Sequence, residues 1–221
     1  MANLHILGFS GSLRKKSYNS AGLREAQTLV PEGAELEIFE LDALPPFNQD
    51  DENDPPEPVR IFKEKIRQAD ALLMAVPEYN YSFSGVLKNA IDWASRPITT
   101  TPMRGKPTAI MGFGGKYGTV RAQMQLRQVF LFLDTPVLLK PEVYIINAWE
   151  KFDSHGNLTD EKTREQVATL LQAAPTAGSR KRLRIWLSPT YTCVELRRME
   201  GSGTRCVQCK VRPLHGVPGN R

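Results

Sequence analysis

Short apolar runs alternate with helix-like patterns along the first 174 residues. Residues 4–9 and 71–76 are predominantly apolar segments of strand length, which is typical of strands buried on both faces. Elsewhere apolar residues recur three and four positions apart, which predicts amphipathic helices. The predicted strands are 4–9, 34–41, 71–76 and 107–113, with a fifth inside 136–146, and the predicted helices are 20–30, 59–66, 85–95, 119–133 and 159–174.

Five alternations of strand and helix predict a doubly wound α/β fold with a five-stranded parallel sheet. Parallel strands need long crossover connections, and the helices in them cover both faces of the sheet. Residues 42–58, rich in Pro, Asp, Glu and Asn, are predicted to form a solvated loop. Ligands of open parallel sheets bind beyond the carboxyl ends of the strands, where the strand order reverses. We therefore expect a site in the loops after the first, third and fourth strands.

The loop after the first strand has the composition of a phosphate-binding loop. Residues 8–19 read GFSGSLRKKSYN, so hydroxyl groups, an amide and three cations directly precede a helix. Backbone N–H groups and the helix dipole at such a place favour a phosphate. The glycine spacings of dinucleotide-binding and P-loop motifs are absent, which favours a mononucleotide. A capped helix start with a solvated basic turn explains the same residues.

Two further loops at the same sheet edge are suited to a planar ligand. Residues 77–85, PEYNYSFSG, offer aromatic and amide groups that could flank a ring and bond to its edge. The simpler interpretation is a loop folded onto the next helix, with Ser84 as its N-cap. Residues 112–118, GFGGKYG, expose backbone that a ligand can approach closely, unless they form an ordinary surface turn.

The charge divides the chain near Pro175. The net charge is +5, but residues 175–221 carry ten Lys or Arg and two Glu, so residues 1–174 have a net charge of −3. All three cysteines also lie beyond Pro175. Such a change in composition indicates a boundary. We predict one domain, residues 1–175, followed by an appended or disordered basic tail, residues 176–221.

The tail carries two weak signals. Cys206 and Cys209, with Cys193 and His215, have the ligand count of a zinc site. A single C-x-x-C without a surrounding core is poor evidence, so we expect no metal. The basic run 180–184 could contact nucleic acid or an anionic membrane, but a solvated segment explains it more simply. We expect neither partner.

Other classes of protein lack their motifs in this sequence. No apolar run is long enough to span a bilayer, and the start of the chain does not resemble a signal peptide, so a cytoplasmic protein is expected. G-x-S-x-G and H-E-x-x-H are absent, and His5 and His155 are expected to be structural. Hydrolysis by a catalytic triad or by a bound zinc ion therefore lacks candidate residues.

Several motifs in order resemble the NADPH-dependent FMN reductase family, which includes bacterial quinone and chromate reductases. The motifs are Gly11–Lys15 with Ser17 and Asn19, Pro77–Asn80, Gly85–Trp93, Gly118–Gln123, Leu126–Arg127 and Lys140–Glu142. The resemblance covers about residues 3–174. It implies a flavodoxin-like fold with strand order 2-1-3-4-5 and bound FMN. It also implies that NADPH or NADH donates a hydride, and that a quinone, chromate, an azo compound or free flavin accepts the electrons. Because the flavin would carry this chemistry, no catalytic side chain is expected.

Site residues follow from the same resemblance. It implies phosphate binding by Ser10, Ser12, Arg14, Ser17 and Asn19. It implies that Pro77, Glu78, Tyr79 and Asn80 line the isoalloxazine ring, with Ser84 and Gly115 nearby. This chain has Lys16 and Tyr18 where the family usually has Gly and Phe.

The resemblance also bears on assembly and on rival functions. Family members are homodimers or dimer-based homotetramers, and the helix with Arg121 and Arg127 is expected to contribute to assembly. The main alternative is a flavodoxin-type electron carrier, although flavodoxins are usually strongly acidic and this domain is only mildly so. A flavin-free binding module is a second alternative.

Overall fold

The computed structural model describes residues 4–173, so the tail 176–221, with its basic run and its cysteines, lies outside the described residues. The strands are β1 (Leu4–Ser10), β2 (Ala34–Ile38), β3 (Ala71–Ala75), β4 (Glu78–Tyr79), β5 (Ser82–Phe83), β6 (Thr108–Phe113) and β7 (Val143–Ile145). The helices are α1 (Tyr18–Thr28), α2 (Glu57–Gln68), α3 (Gly85–Ala94), α4 (Val120–Leu133) and α5 (Glu161–Ala173).

The main sheet has the order β2-β1-β3-β6-β7, and all of its neighbouring strands are parallel. Taken in chain order, these five strands follow the predicted 2-1-3-4-5 order, so the flavodoxin-like topology is confirmed. The order reverses between β1 and β3, whose last residues Ser10 and Ala75 are register partners. The loops after these two strands therefore start side by side at the switch point.

Both faces of the sheet are buried, as its apolar runs predict. Alternate side chains of β1 enter different cores, with Leu7 and Phe9 on one face and Ile6 on the other. Helices α2, α3 and α4 cover the first face, and their largest buried side chains include Phe62, Trp93 and Phe130. Helices α1 and α5 cover the second face. With both faces packed, ligands have access only at the ends of the strands.

The fifth strand, predicted within residues 136–146, is the three-residue β7, and Val137 forms a separate bridge with Thr108. The Pro136 carbonyl supports this bridge by accepting from the Thr108 N–H (2.9 Å). Pro141, which has no N–H to donate to a neighbouring strand, lies between the bridge and β7.

The predicted solvated loop 42–58 is solvated only in part. Leu44 is buried, and the Pro45 carbonyl accepts hydrogen bonds from Trp93 Nε1 (2.8 Å) and Asn89 Nδ2 (2.9 Å). The start of this proline-rich segment is therefore packed against α3. Within residues 4–173, no helix combines the length and the apolar character needed to cross a membrane.

Candidate functional site

Buried serine hydroxyls shape the loop after β1. Ser10, Ser12 and Ser17 are all buried. Ser17 is the N-cap of α1 and accepts a hydrogen bond from the Ser20 N–H (3.3 Å). The Ser20 hydroxyl donates in turn to Ser10 Oγ (3.0 Å), which also accepts from the Ser12 N–H (3.3 Å). These bonds fix the loop in a compact conformation.

The same loop presents backbone donors at the start of α1. The Ser17 N–H bonds to the Arg14 carbonyl, and the Ala21 N–H bonds to the Ser17 carbonyl, both at 2.9 Å. The N–H groups of Tyr18 and Asn19 lie between these two in the chain, and they donate to no backbone acceptor among the described residues 4–173. First-turn amides and the helix dipole together bind anions. The exposed cations Arg14, Lys15 and Lys16 flank this helix end.

The Asn19 side chain is bonded within the protein, so its amide is not available to a phosphate. The side chain is buried, and its Nδ2 donates to the Phe113 carbonyl (2.9 Å) while its Oδ1 accepts from the Phe113 N–H (3.0 Å). Both ends of the amide are thus used to join α1 to the end of β6. Its backbone N–H is the group left to face an anion.

The loop after β3 contains a hairpin that the sequence did not reveal. Glu78 pairs with Phe83 and Tyr79 with Ser82 in the antiparallel strands β4 and β5. The two turn residues, Asn80 and Tyr81, have φ angles of 51° and 68°. Positive φ at both central positions is the requirement of a type I′ turn, which Asn-Gly usually meets. With Tyr in place of Gly, that signal is missing from the sequence.

The carboxylate of Glu78, a residue expected beside the ring, is bonded to the start of α4. The side chain is only 7% exposed and forms an ion pair with the guanidinium of Arg121. Its Oε2 also accepts from the backbone N–H groups of Arg121 (3.1 Å) and Ala122 (3.2 Å). A carboxylate at a helix N-terminus is stabilised by the free amides and by the dipole. Glu78 therefore anchors the hairpin to the start of α4.

Two arginines of α4 are engaged within their own chain. The Arg121 guanidinium lies over the rings of Tyr81 and Tyr117, at 3.8 and 5.0 Å from their centroids. Arg127 Nη1 donates to the Leu138 carbonyl (3.1 Å), and burial lowers the pKa of its guanidinium. Arg121 therefore connects the loops after β3 and β6.

Further contacts join the first and third loops. The Tyr79 hydroxyl lies 3.4 Å from Ser12 Oγ, although the Tyr79 residue is 50% exposed. Ser84 is the N-cap of α3, as the simpler interpretation predicted, and its hydroxyl also donates to the Gly11 carbonyl (2.6 Å). A Cβ on Gly11 would lie within 2.9 Å of Ser84 Oγ and of the buried Pro77. These contacts bring together six of the predicted residues, namely Ser10, Ser12, Ser17, Pro77, Tyr79 and Ser84.

The glycine-rich loop after β6 is held in place rather than loose. The Gly115 carbonyl accepts from the N–H groups of Gly118 (2.9 Å) and Asn147 (3.0 Å). A Cβ on Gly114 would overlap the Gly118 carbonyl, whereas a Cβ on Gly115 would meet only the Trp149 ring, at 3.9 Å. Gly115 therefore presents its backbone to open space. Trp149, after β7, is 54% exposed beside it.

These features suit a phosphorylated ligand with a planar ring. One part of the edge offers free amides, hydroxyls and cations, and another offers exposed aromatic rings and open backbone. FMN has this pairing of a dianionic phosphate with a flat ring system, so the residues present fit it. None of the described residues belongs to a group of three or more His, Cys, Asp or Glu that could hold a metal ion.

Comparisons with known proteins point to one family. A family model described as NADPH-dependent FMN reductase matches residues 4–150. The NAD(P)H-dependent FMN reductase PA1204 of Pseudomonas aeruginosa is 53% identical over 174 residues, which are 77% of this chain and 93% of that protein. The 2-hydroxy-1,4-benzoquinone reductase of a Burkholderia species is 41% identical over 169 residues, 76% of this chain and 92% of that protein.

A solved structure extends the similarity to three dimensions. It is FerB, a flavoenzyme NAD(P)H:(acceptor) oxidoreductase from Paracoccus denitrificans. The TM-score is 0.68 at 36% sequence identity, over 76% of this chain and 93% of that one.

Proposed function

Because the chain belongs to the NADPH-dependent FMN reductase family, we propose that the loops after β1, β3 and β6 form its FMN site and that a quinone accepts the electrons. The protein is an oxidoreductase whose cofactors are FMN and NAD(P)H. Bound FMN supplies the redox chemistry, taking a hydride from the nicotinamide and passing two electrons on. The role of the protein is to bind the flavin, to orient it and to shield it from solvent. Membership of this family argues against the alternative drawn from the sequence, a flavodoxin-type electron carrier.

The observation that carries the proposal is the donor set at the start of α1. We assign the phosphate to the free N–H groups of Tyr18 and Asn19, together with the hydroxyls of Ser10, Ser12 and Ser17. Hydrogen bonds to an ionised group are stronger than neutral ones, and those from a helix N-terminus also gain from the dipole. Arg14, whose guanidinium lies 5.4 Å from the centroid of the Tyr18 ring, adds a positive charge at the surface of the loop. Preformed donors of this kind hold a dianion without rearranging the loop.

We assign the ring to the backbone of residues 77–80 and to Gly115. The hairpin supports this because Glu78 and Ser84 are already bonded to other parts of the fold, so the hairpin backbone has a fixed position. Gly115 supports it because its open face allows main-chain atoms to approach a flat ligand. In this proposal, Glu78 and Ser84 build the site without contacting the ring through their side chains.

A quinone is the acceptor class that the rim of the site favours. Exposed aromatic side chains surround the sheet edge, and flat rings stack on such groups. They are Tyr79, Tyr81, Tyr117 and Trp149. The Burkholderia relative is named for a benzoquinone substrate. Steady-state assays with a quinone, chromate, an azo dye and free flavin test this order of preference, and a higher kcat/KM for any of the other three would contradict it.

We also propose that the enzyme is a homodimer, from which a tetramer can be built. The outer face of α4 exposes Leu131 (83%), Phe132 (73%) and Met124, which lie on one side of the helix. Exposed apolar patches mark association surfaces, and a second copy of the chain would cover this one. Leu131→Glu should yield a monomer in sedimentation, and a monomeric wild type would contradict the proposal.

Cytoplasmic location stays a prediction, which cell fractionation would test.

A comparison of FMN with riboflavin tests the phosphate assignment. Riboflavin lacks only the phosphate, so it should bind the apoprotein about a hundredfold more weakly, as expected for the loss of two charge-assisted hydrogen bonds of about 1.5 kcal/mol each. Quenching of flavin fluorescence during titration measures both affinities. Equal affinities would show that the start of α1 does not hold the phosphate.

A further inference from the structure

The turn of the β4–β5 hairpin has a conformation that needs external support. Tyr81 has a φ of 68°, and a bulky side chain in this left-handed region is strained. Its ring is not held by burial in a core, because the residue is 67% exposed. Such conformations persist only where surrounding contacts fix them.

Gln125 of α4 supplies two of these contacts through one side-chain amide. Its Nε2 donates to the Tyr81 carbonyl (2.9 Å), and its Oε1 accepts from the Ser82 hydroxyl (2.7 Å). Arg121 lies one helical turn earlier on the same side of α4, with its guanidinium over the Tyr81 ring. Tyr81 is therefore held by its carbonyl and by its ring, from two consecutive turns of one helix.

The hairpin transmits this position to the candidate site. Tyr79 pairs with Ser82 across the hairpin, and its hydroxyl lies 3.4 Å from Ser12 Oγ in the loop after β1. A shift of the turn away from α4 would therefore move Tyr79 relative to Ser12. A residue that fixes the turn also fixes the distance between these two loops.

We propose that Gln125 is a positioning residue that fastens the β4–β5 hairpin in the geometry that FMN binding requires. This role rests on the proposed FMN site. The position needs a donor and an acceptor on one short side chain, which glutamine provides. Methionine has nearly the same volume but neither group, so Gln125→Met removes both hydrogen bonds and retains the bulk.

The test compares Gln125→Met with Ser82→Ala, with the double variant, and with Gln166→Met as a control. Gln166 is an exposed glutamine of α5 that makes no side-chain hydrogen bond to the described residues. Hydrogen exchange of the amides of residues 78–83 reports on the hairpin in the apoprotein. Titration with FMN reports on the site, and urea denaturation reports on the fold as a whole.

Gln125→Met should speed hydrogen exchange in the hairpin and raise the FMN Kd about fivefold, which corresponds to about 1 kcal/mol. Ser82→Ala should have a smaller effect, and the double variant should resemble Gln125→Met because the two residues share one contact. The urea midpoint should stay near that of Gln166→Met, because the lost bonds are at the surface.

Two results would overturn the positioning role alone. One is an unchanged FMN Kd in Gln125→Met while the wild type binds FMN. The other is a raised Kd with unchanged exchange in residues 78–83. A wild type that fails to bind FMN would instead overturn the proposed function, and the positioning role with it.

Discussion

Neighbouring residues of one loop have separate roles in folding and in the candidate site. Gly114 has no room for a side chain because the Gly118 carbonyl lies against it, whereas Gly115 faces open space apart from the Trp149 ring. The first glycine is therefore required by packing. The second has no such requirement in the described structure, which leaves room for the ligand that we propose beside it.

Gly115→Ala should leave the free energy of unfolding within about 0.5 kcal/mol of the wild type, since the added methyl meets nothing closer than an ordinary contact. It should nevertheless raise the FMN Kd about tenfold, because the methyl occupies space that the proposal gives to the ring. Urea denaturation and flavin titration measure the two quantities. Gly114→Ala serves as the contrast and should destabilise the fold. An unchanged FMN Kd in Gly115→Ala would remove Gly115 from the site.

The sequence indicated which positions matter but did not predict which contacts each side chain makes. The motifs drew attention to Asn19 and Glu78, yet both side chains bond to the protein itself, one to Phe113 and the other to α4. Their partners are 94 and 43 residues away along the chain. No local pattern encodes a contact of such range, so the sequence could indicate the positions without the partners.

At the scale of elements, periodicity predicted the main sheet and its helices because their apolar patterns are long. The β4–β5 hairpin has strands of two residues each, which is too short for any alternation to show. Hydropathy placed the fifth strand only within residues 136–146, and the described strand is its last part, Val143–Ile145, after Pro141, which has no N–H to donate. Burial patterns therefore predicted the long elements, whereas the short elements set by backbone hydrogen bonds were missed or located only roughly.

The start of α5 depends on a single carboxylate. Asp160 Oδ2 accepts from the Thr163 N–H (2.9 Å) and hydroxyl (2.6 Å), and Oδ1 pairs with Lys151 (3.1 Å). The Thr163 hydroxyl bond and then the Lys151 bond lower the pKa of this carboxyl from its ordinary 3.8. A lowered pKa in the folded state stabilises the fold above the ordinary value, and this stabilisation is lost as the pH falls through the lowered pKa.

Asp160→Ala should therefore lower the free energy of unfolding at pH 7 by about 1 kcal/mol, the usual value of an N-cap. The difference from the wild type should narrow as the pH is lowered below 3.8, where the carboxylate becomes protonated. Urea denaturation across this range measures it. Asp160→Asn, which can still accept from the Thr163 N–H, should lose less at pH 7. A deficit in Asp160→Ala that is independent of pH would contradict this account.

At the scale of the whole molecule, the charge of the chain changes near Pro175, and the proposed FMN site lies on one side of this change. The residues assigned to the FMN site all lie between Ser10 and Gly115, in the mildly acidic part of the sequence. The proposal assigns no role to the ten basic residues after position 174. A domain boundary near Pro175 stays a prediction from composition.

Deletion of residues 176–221 should leave the FMN Kd and the urea midpoint of the domain unchanged. The reason is that the five-stranded sheet, the helices that cover it and the three loops all lie within the described residues 4–173. Flavin titration of the truncated and full-length proteins measures the effect. A loss of FMN binding on truncation would show that the tail belongs to the site.

Whether these loops bind a flavin is decided by the visible absorption spectrum of the purified protein, recorded before and after anaerobic addition of NADPH. We expect a two-banded flavin spectrum that one equivalent of NADPH bleaches and that a quinone then restores. A spectrum that stays flat, even after incubation with FMN, would contradict the assignment of these three loops to a flavin.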